Sequence, residues 1–246
     1  MPGKDDTAPL RLDRYLCEGL QITRSQAKEL LSKGRVTVNG AVCKKADTKI
    51  SPADAVTAAG ASVSRQAFVY IMLDKPQGVV SASEDGRDTT VVDLVRPAYA
   101  RRSLFPAGRL DKDSTGFVLL TDDGDFAHDI LAPKRHVAKT YTVRIDTPLT
   151  QAMIDGFAAG VTLADGSLMQ PAVLQGVEGD PTLTRVVLTQ GVYHQIKRMF
   201  GVLDAGVNGL HRTAIGGLSL DEGLAPGAWR LITPEEKTLL QTREEG

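Results

Sequence analysis

GRLDKDSTGFVLLTDDGD, residues 108–125, is the stretch that decides the fold, because it joins a polar loop to a buried strand. Its first half is rich in the Gly, Asp and Ser residues that form turns, and FVLLT is a short apolar run typical of a strand. Loops held by rigid strands often carry catalytic groups, since the strand holds the side chain still in a cleft. Asp111 is therefore a candidate catalytic carboxylate, and the alternative is that its side chain only caps the turn.

On either side of this stretch, strand-like and helix-like segments follow one another without a regular strand-helix-strand rhythm. Apolar or alternating runs predict strands at residues 68–73, 117–121, 136–145, 173–177 and 184–188. Helical spacing and capping signals predict helices after 122–125, at 148–160, at 193–203 and after Thr233. This order predicts an α+β fold with a mixed, largely antiparallel sheet.

The N-terminal part of the chain predicts a separate and much smaller module. An apolar helical stripe runs from Leu12 to Leu20, and Thr23 with Gln26 has the spacing of the capping box that begins a second helix. The Asn-Gly dipeptide at 39–40 follows an alternating Val-Thr-Val run and is the strongest short hairpin signal that a sequence offers. Two short helices and a hairpin enclose only a small core.

The chain is long enough for one small domain and one medium domain. Its 246 residues are 42% hydrophobic, which is the composition of a globular protein. We predict the helix-helix-hairpin domain over residues 10–60 and the larger domain over residues 67–235, joined by a short connector at about 58–66 that contains Ser, Ala and Gly. No feature of the sequence requires an oligomer, so we predict a monomer.

The composition also predicts the compartment and the state of the cysteines. The sequence contains no apolar run of about eighteen residues and no charged-then-apolar leader, which predicts a cytoplasmic protein without a membrane span. Cys17 and Cys43 have neither a CxxC partner nor a nearby His. We therefore predict reduced, structural cysteines and no metal site.

The net charge of −1 does not favour nucleic-acid binding, because Lys and Arg contacts to phosphate carry most of such affinity. Its distribution is uneven. Residues 1–60 hold ten Lys and Arg against seven Asp and Glu, a net charge of +3, whereas the remainder has a net charge of −4. The basic excess lies in the N-terminal module, where an ordinary solvated face is the alternative to an RNA-binding surface.

Four short segments of the chain share their order and their residues with one enzyme family. They are KPQG at 75–78, GRLDKDSTG at 108–116, KTY at 139–141 and YHQIKRMF at 193–200. In this order they resemble the signature segments of the pseudouridine synthases of the RsuA type (the RsuA/RluB family), which isomerise a uridine in ribosomal RNA. The resemblance extends from about residue 11 to residue 233. It implies a pseudouridine synthase catalytic domain that needs no cofactor, because this isomerisation uses neither a redox group nor a group donor.

The resemblance implies three catalytic residues. Asp111 stands at the place of the catalytic aspartate, which acts as a nucleophile at the anomeric carbon or as a base on a ribose proton. Lys197 stands where a basic residue pairs with that aspartate and keeps it ionised. Tyr141 would stack on the extruded base and help to remove its proton, and alternation puts Lys139 on the same side of the strand. The alternative for Tyr141 is a half-buried aromatic that only packs.

Other residues of the larger domain have supporting roles under the same resemblance. Arg109 is predicted to contact a phosphate or to hold the place of the flipped nucleotide, and Lys75 is predicted to support the KPQG turn or to contact RNA through a phosphate. We interpret His194 as a structural hydrogen-bonding residue and not as a base. Val192 departs from the family pattern, in which Arg often follows the corresponding glycine, so an auxiliary RNA or phosphate contact loses its basis there.

RLDRYLCEGLQITRSQAKELLSKGRVTVNG, residues 11–40, resembles the RNA-binding domain named after ribosomal protein S four. In that family the two helices and the following hairpin contact RNA. The predicted RNA contacts on this face are Arg11, Arg14, Arg24, Ser25, Lys28, Lys33 and Arg35. Such a module supplies phosphate and shape contacts and reads little sequence itself. Ordinary exposed helix charges are the alternative.

Together these features predict an enzyme that flips and isomerises one uridine of ribosomal RNA, presented as free RNA or within a ribosome-assembly particle. The opening VYIMLDKPQGVV, residues 69–80, favours the small-subunit (16S) RNA over the large-subunit RNA. A non-catalytic RNA-binding assembly factor is a second reading, against which the presence of all three predicted catalytic residues argues. A hydrolase that pairs Asp111 with Asp113 or Asp123 is a third, and it would need carboxyl groups about 5 to 10 Å apart.

Overall fold

A computed structural model describes residues 9–20, 22–63, 68–132, 135 and 137–242. The chain divides between Phe68 and Val69 into two compact units, which we call the smaller and the larger unit. The smaller unit has one apolar core, and the larger unit has two. Within the described ranges, no helix is long and apolar enough to cross a membrane.

The smaller unit packs two helices on short strands. Its elements are, in chain order, β1 (Leu10–Arg11), α1 (Leu12–Leu20), α2 (Arg24–Ser32), β2 (Val36–Val38), β3 (Ala41–Val42), β4 (Lys49–Ile50), β5 (Val56–Ala58) and β6 (Ala61–Val63). β1 pairs with β4, and the other strands form an antiparallel sheet in the order β3-β2-β5-β6. Leu12 and Leu16 of α1, Leu31 of α2 and Val36 of β2 form the centre of its core.

Local signals in the sequence explain these elements. The Thr23 hydroxyl accepts a hydrogen bond from the Gln26 amide at 3.1 Å, and the Gln26 side chain accepts one from the Thr23 amide, so the predicted capping box is confirmed. Asn39 and Gly40 have φ angles of 51° and 83°, the left-handed pair that a two-residue hairpin turn requires. The predicted hairpin is therefore confirmed as β2 and β3.

The prediction of a connector beginning near residue 58 was wrong. β5 and β6 form a second hairpin, closed by a turn at Ala59 and Gly60 with φ angles of 52° and 86°. Because alanine rarely adopts a left-handed conformation, the sequence carried no clear turn signal at this place. Residues 64–67, which include the end of the predicted connector and the first residue of the predicted larger domain, lie outside the described residues.

The larger unit contains a single large sheet and five helices within the described residues. Its elements are, in chain order, β7 (Tyr70–Lys75), α3 (Val91–Tyr99), β8 (Phe105–Pro106), β9 (Thr115–Thr121), α4 (Gly124–Leu131), β10 (Lys139–Ile145), α5 (Gln151–Ala159), β11 (Val173–Val177), β12 (Asp180–Leu188), α6 (Gln195–Val202), β13 (Val207–Ile215), β14 (Leu218–Ser219), β15 (Trp229–Leu231) and α7 (Pro234–Leu239). The predicted strand at 136–145 is observed as β10, and His136 lies outside the described residues.

The sheet of the larger unit runs in the order β11-β12-β10-β13-β9-β7-β15, with β14 paired to β13 and β8 paired to β9. Among the described strands every pair is antiparallel except β9 with β13, which confirms the predicted α+β fold with a largely antiparallel sheet. Along β9, Val118 and Leu120 enter one core while Phe117 and Leu119 enter another. The centre of the sheet is therefore buried on both faces, which accounts for the continuous apolar run FVLLT.

The parallel contact between β9 and β13 depends on a glycine. Gly116 has a φ of 100°, and a Cβ added there would lie 2.4 Å from the backbone oxygen of Arg212. A side chain at this position would push β13 away from β9. The glycine that ends the GRLDKDSTG segment thus sets how closely Arg212 approaches the loop of Asp111.

Candidate functional site

Asp111 lies in the loop between β8 and β9. Hydrogen bonds from Gly78 and Ser81 hold the backbone of this loop. The Ser81 hydroxyl donates to the Leu110 carbonyl at 2.9 Å and accepts from the Leu110 amide at 3.0 Å. The Gly78 amide donates to the Lys112 carbonyl at 2.8 Å. Hydrogen bonds on both sides of Asp111 therefore fix the backbone that carries its side chain.

Lys75 completes this support, and the prediction that it contacts RNA is corrected. Its side chain is fully buried, with 0% exposure, and cannot reach a phosphate from this position. Its ammonium donates to the carbonyls of Ser114 at 2.6 Å, Pro76 at 3.1 Å and Lys112 at 3.4 Å. Burial lowers the pKa of Lys75 to about 8. The KPQG segment thus ties the β7 turn to the Asp111 loop, as its architectural interpretation expects.

The Asp111 carboxylate is 24% exposed and has a different basic side chain near each oxygen. His194 Nε2 lies 3.2 Å from Oδ1, and Lys197 Nζ lies 3.7 Å from Oδ2. His194 lies just before α6, and Lys197 lies in the first turn of that helix. A carboxylate between two such donors is held in one orientation.

Lys197 serves two carboxylates. It donates to Asp113 at 2.7 and 2.8 Å, closer than its 3.7 Å approach to Asp111. The hydrogen bond from Lys197 lowers the pKa of Asp113 and keeps that exposed carboxyl ionised. The predicted pairing of Lys197 with Asp111 is present as a charge contact, while the direct hydrogen bonds go to Asp113.

His194 stands closer to Asp111 than its interpretation as an ordinary structural residue implied. It lies just before α6 with φ 51° and ψ 30°, a left-handed conformation that is uncommon outside glycine. Its ring stacks on that of Tyr193, with centroids 3.8 Å apart. The helix predicted from residue 193 therefore begins only at Gln195, and the left-handed turn aims the His194 ring at Asp111.

Asp111 opens into a cleft of about 530 Å³. The predicted residues Arg109, Tyr141 and Lys197 line it, together with Val192 and His194. Tyr141 is nearly buried in β10, on the same side of the strand as Lys139 and Val143, as the alternation predicted. The sequence-predicted catalytic residues thus lie around one cleft of the larger unit.

Two further cleft residues were missed as site residues. Arg212 lies directly opposite Tyr141 in the β10-β13 register, and Lys139 lines the same cleft. Arg212 is carried by the run VNGLHRTAI, which has little strand-like patterning, so no sequence signal pointed to it. Lys139 was part of the KTY segment, where only its direction relative to Tyr141 was predicted.

The predicted RNA contacts of the smaller unit are exposed, and several of them have acidic neighbours. Arg11 lies 2.9 Å from Asp13 and lowers the pKa of that carboxyl by hydrogen bonding, while Arg14 pairs with Glu18 at 2.7 Å. Lys33 pairs with Glu29. The remaining predicted contacts, all exposed, are Arg24, Ser25, Lys28 and Arg35. Local ion pairs therefore reduce the net positive charge of part of this face.

The structure argues against Asp123 as the second carboxylate of a hydrolase. Asp123 caps α4, where its side chain accepts the Phe126 amide at 3.0 Å and also the Tyr70 hydroxyl. Its position is explained by this capping role. Within the described residues, no group of three His, Cys, Asp or Glu side chains is arranged to hold a metal ion.

Comparisons with known proteins agree with both parts of the chain. Residues 69–201 match the family described as RNA pseudouridylate synthase, and residues 10–56 match the S4 domain. Ribosomal small subunit pseudouridine synthase A of Escherichia coli strain K12 is 40% identical over 229 residues, which cover 92% of this chain and 98% of that protein. An uncharacterized RNA pseudouridine synthase of Bacillus subtilis is 40% identical over 234 residues, covering 94% and 98%.

Comparison with solved structures agrees with the sequence matches. A solved crystal structure of a pseudouridylate synthase superimposes with a TM-score of 0.66 at 37% identity, covering 94% of this chain and 99% of that one. The resemblance seen in the four sequence segments and in the N-terminal module is confirmed by these matches. The chain therefore belongs to the RNA pseudouridylate synthase family, among its RsuA-type members, and carries an S4 domain at its N-terminal end.

Proposed function

We propose that this protein isomerises one uridine of small-subunit ribosomal RNA to pseudouridine, with Asp111 as the catalytic carboxylate. The observation that carries the proposal is the Asp111 carboxylate, 3.2 Å from His194 and 3.7 Å from Lys197 in a cleft that Tyr141 also lines. The target RNA is inferred from the Escherichia coli relative, whose name states that it acts on the small ribosomal subunit.

The reaction conserves every atom of the nucleotide. The bond between C1′ and N1 breaks, the uracil turns, a bond forms between C1′ and C5, and the proton on C5 leaves while N1 gains one. Asp111 acts either by attacking C1′ or by taking a ribose proton, and both routes require it to be ionised. Lys197 Nζ, 3.7 Å from Asp111 Oδ2, places a positive charge beside the reacting carboxylate.

The neighbouring side chains serve the flipped nucleotide. Tyr141 forms a flat wall of the cleft, on which the extruded uracil stacks. Arg109 lines the cleft beside Asp111 and contacts a phosphate or occupies the place that the nucleotide leaves. Extruding the base costs a few kcal/mol, roughly, which contacts with the flanking RNA must offset.

The smaller unit supplies part of those contacts. We assign RNA docking to residues 10–60 and the isomerisation to residues 67–235, with the exposed side chains of Arg24, Lys28 and Arg35 facing phosphates. The pairing of Arg11 and Arg14 with carboxylates makes them weaker contributors. The protein acts as a monomer on free RNA or on an assembly particle, in the cytoplasm and without a cofactor.

A pseudouridine map of both ribosomal RNAs tests the proposal. Cells carrying the wild-type chain are compared with cells carrying Asp111→Asn, and Asp180→Asn serves as the matched control because Asp180 lies on an exposed hairpin, paired with Arg144. We expect one small-subunit uridine to lose its modification in Asp111→Asn only.

Other outcomes would redirect the proposal. Loss of a modification in the large-subunit RNA would keep the reaction and change the target. Retention of every site in Asp111→Asn would mean that Asp111 is not catalytic on ribosomal RNA, and the non-catalytic assembly factor would become the better reading. Loss of the same site in Asp180→Asn would indicate that folding, and not chemistry, had failed.

A further inference from the structure

Two buried cations, Arg212 and Lys139, form the floor of the cleft beside Tyr141. Arg212 is 3% exposed and Lys139 is 8% exposed, yet both line the cleft. Arg212 is the direct cross-strand neighbour of Tyr141, and Lys139 precedes Tyr141 by two residues in β10. All three side chains therefore leave the same face of the sheet.

The Arg212 guanidinium is fixed at one end and unpartnered at the other. Its Nε donates to the Phe117 carbonyl at 2.7 Å, and the contact of its backbone with Gly116 leaves no room for β13 to shift toward β9. Nη2 is buried, and within the described residues no acceptor lies within hydrogen-bonding distance of it. Buried donors are almost always satisfied, so an unpaired donor on a residue that lines the cleft points to an acceptor that the cleft receives.

The Lys139 ammonium is also poorly compensated. It donates to the carbonyls of Val137 at 2.8 Å and Thr189 at 3.4 Å, and no carboxylate of the described residues lies within ion-pair distance. Burial and the neighbouring charge of Arg212 lower the pKa of Lys139 to about 8. Two cations without a buried acid between them are unfavourable for folding, and such arrangements are concentrated at functional sites.

We infer that Arg212 and Lys139 bind a carbonyl oxygen of the flipped uracil and stabilise the negative charge that the ring carries when it leaves C1′. This inference rests on the proposed function. When the C1′–N1 bond breaks, its electron pair stays with the uracil and spreads from N1 onto the carbonyl oxygens. When C5 joins C1′, the ring returns the pair to the new bond, and the C5 proton is replaced by one on N1. A fixed N–H donor and a second cation favour the charged ring over the neutral base.

Depth favours the base over a phosphate as the occupant. Arg212 and Lys139 are almost wholly buried beside the aromatic ring of Tyr141, whereas Tyr193, at 66% exposure, and Arg109 lie nearer to solvent. A flipped nucleotide enters with its base foremost, while its phosphates remain on the RNA backbone at the cleft mouth. The phosphate reading is therefore an outcome of the test below.

The test uses the full-length protein and a ribosomal RNA fragment that contains the uridine identified by pseudouridine mapping. Single-turnover rates at saturating RNA and the RNA dissociation constant are measured for wild type, Arg212→Gln, Arg212→Lys and Arg144→Gln. Arg144 is the matched control, because it is an exposed arginine of the same sheet. We expect Arg212→Gln to slow isomerisation about a hundredfold while RNA affinity changes less than about threefold. Arg212→Lys retains the charge and recovers part of the rate.

Substrate atoms then identify the contact. RNA carrying 2-thiouridine or 4-thiouridine at the target has a weaker acceptor at one ring position. Wild type should slow on one of these two RNAs relative to uridine, and Arg212→Gln should show no such difference. If Arg212→Gln instead weakens RNA binding and a neutral methylphosphonate 5′ of the target removes its effect, Arg212 binds phosphate and the inference is overturned.

The remaining outcomes separate this inference from the proposed function. If wild type isomerises the fragment and Arg212→Gln does so at the same rate, only the role of the cation pair fails. If wild type leaves the fragment unmodified, the proposed function fails and this role fails with it. Thermal unfolding checks that Arg212→Gln is folded. If Arg212→Gln is not folded, Lys139→Met is measured in its place and should slow isomerisation about tenfold.

Discussion

Lys75 and Lys139 are both buried lysines of the larger unit, but they face different surroundings. Burial lowers the pKa of each ammonium to about 8. Lys75 donates to three backbone carbonyls, two of which belong to the loop that carries Asp111. Lys139 donates to two carbonyls, one of them at 3.4 Å, and lines the cleft. Lys75 therefore supports the backbone of the Asp111 loop, whereas Lys139, buried to a similar depth, is a binding group open to the cleft.

The charged side chains near Lys75 and Lys139 also differ. Arg212 lowers the pKa of both lysines, but Asp113 and Asp111 raise that of Lys75 against this effect and against burial, and no carboxylate raises that of Lys139. Lys75 is thus compensated by the protein itself. Lys139 lacks this compensation until a group with negative charge enters the cleft, which is the condition expected of a binding residue.

Replacing Lys75 should have the largest effect. Lys75→Met removes donors 2.6 Å from Ser114 O and 3.1 Å from Pro76 O, leaving buried carbonyls unpaired. We expect the free energy of unfolding to fall by roughly 1–3 kcal/mol. The loosened loop should also slow isomerisation by about a hundredfold, because small displacements of a catalytic group are costly. Denaturant unfolding and single-turnover kinetics measure the two effects.

The matched control for Lys75 is Lys112→Met. Lys112 belongs to the same loop but is exposed, and its ammonium pairs with Asp88 at 2.7 Å. Its loss should change stability by less than about 0.5 kcal/mol, as is usual for surface positions. If both variants lose the same stability, the prediction that Lys75 supports the Asp111 loop is wrong.

Lys139→Met should separate stability from activity. An apolar side chain removes a buried charge, so the free energy of unfolding should stay unchanged or rise by up to about 2 kcal/mol. Isomerisation should slow about tenfold, because the cation that faces the uracil is lost. A variant that loses both stability and activity, as Lys75→Met does, would abolish the distinction between the two lysines.

The pH dependence of stability gives a smaller effect with a defined sign. The folded-state pKa of Lys139, about 8, lies below the ordinary pKa of 10.5 for a lysine in an unfolded chain. Below pH 8 both states hold the proton and the cost of the buried charge is fully present. Between pH 8 and 10.5 the folded state has released its proton and the unfolded state has not, so stability rises with pH.

Lys139→Met removes this contribution. Its stability advantage over wild type, measured by urea unfolding, should therefore shrink by about 1 kcal/mol between pH 7 and pH 9. Lys75 titrates in both proteins and cancels from the difference. An advantage that stays constant over this range would show that the folded-state pKa of Lys139 does not lie within it.

Local signals predicted much of the fold because they act within a few residues. The capping box of Thr23 and Gln26, the Asn39-Gly40 turn and the alternation around Tyr141 depend only on nearby backbone, and all three are observed. The Ala59-Gly60 turn was missed because it places an alanine in a left-handed conformation, which no residue preference announces.

The candidate site was only partly predictable for a related reason. Asp111, Tyr141 and Lys197 lie within recognisable segments, and they line the same cleft. Arg212 reaches that cleft only through the pairing of β13 with β9 and β10, a long-range register that its own sequence does not reveal. The burial of Lys75 has the same origin, since a lysine before Pro-Gln-Gly looks like an exposed turn residue.

His194 has both a structural role, like Lys75, and a role in the cleft, like Lys139. Its replacement should have the smallest effect. Its left-handed backbone turns the chain into α6, and its Nε2 orients Asp111. His194→Asn suits the backbone, because Asn adopts this conformation readily, but its amide is too short to reach Asp111. His194→Gln keeps a donor near the Nε2 position and fits the backbone less well. We expect Asn to be the more stable variant with kcat about fivefold below wild type and KM unchanged, and Gln to be the less stable variant with kcat nearly restored. Activity that follows stability in both variants would make His194 purely a backbone residue.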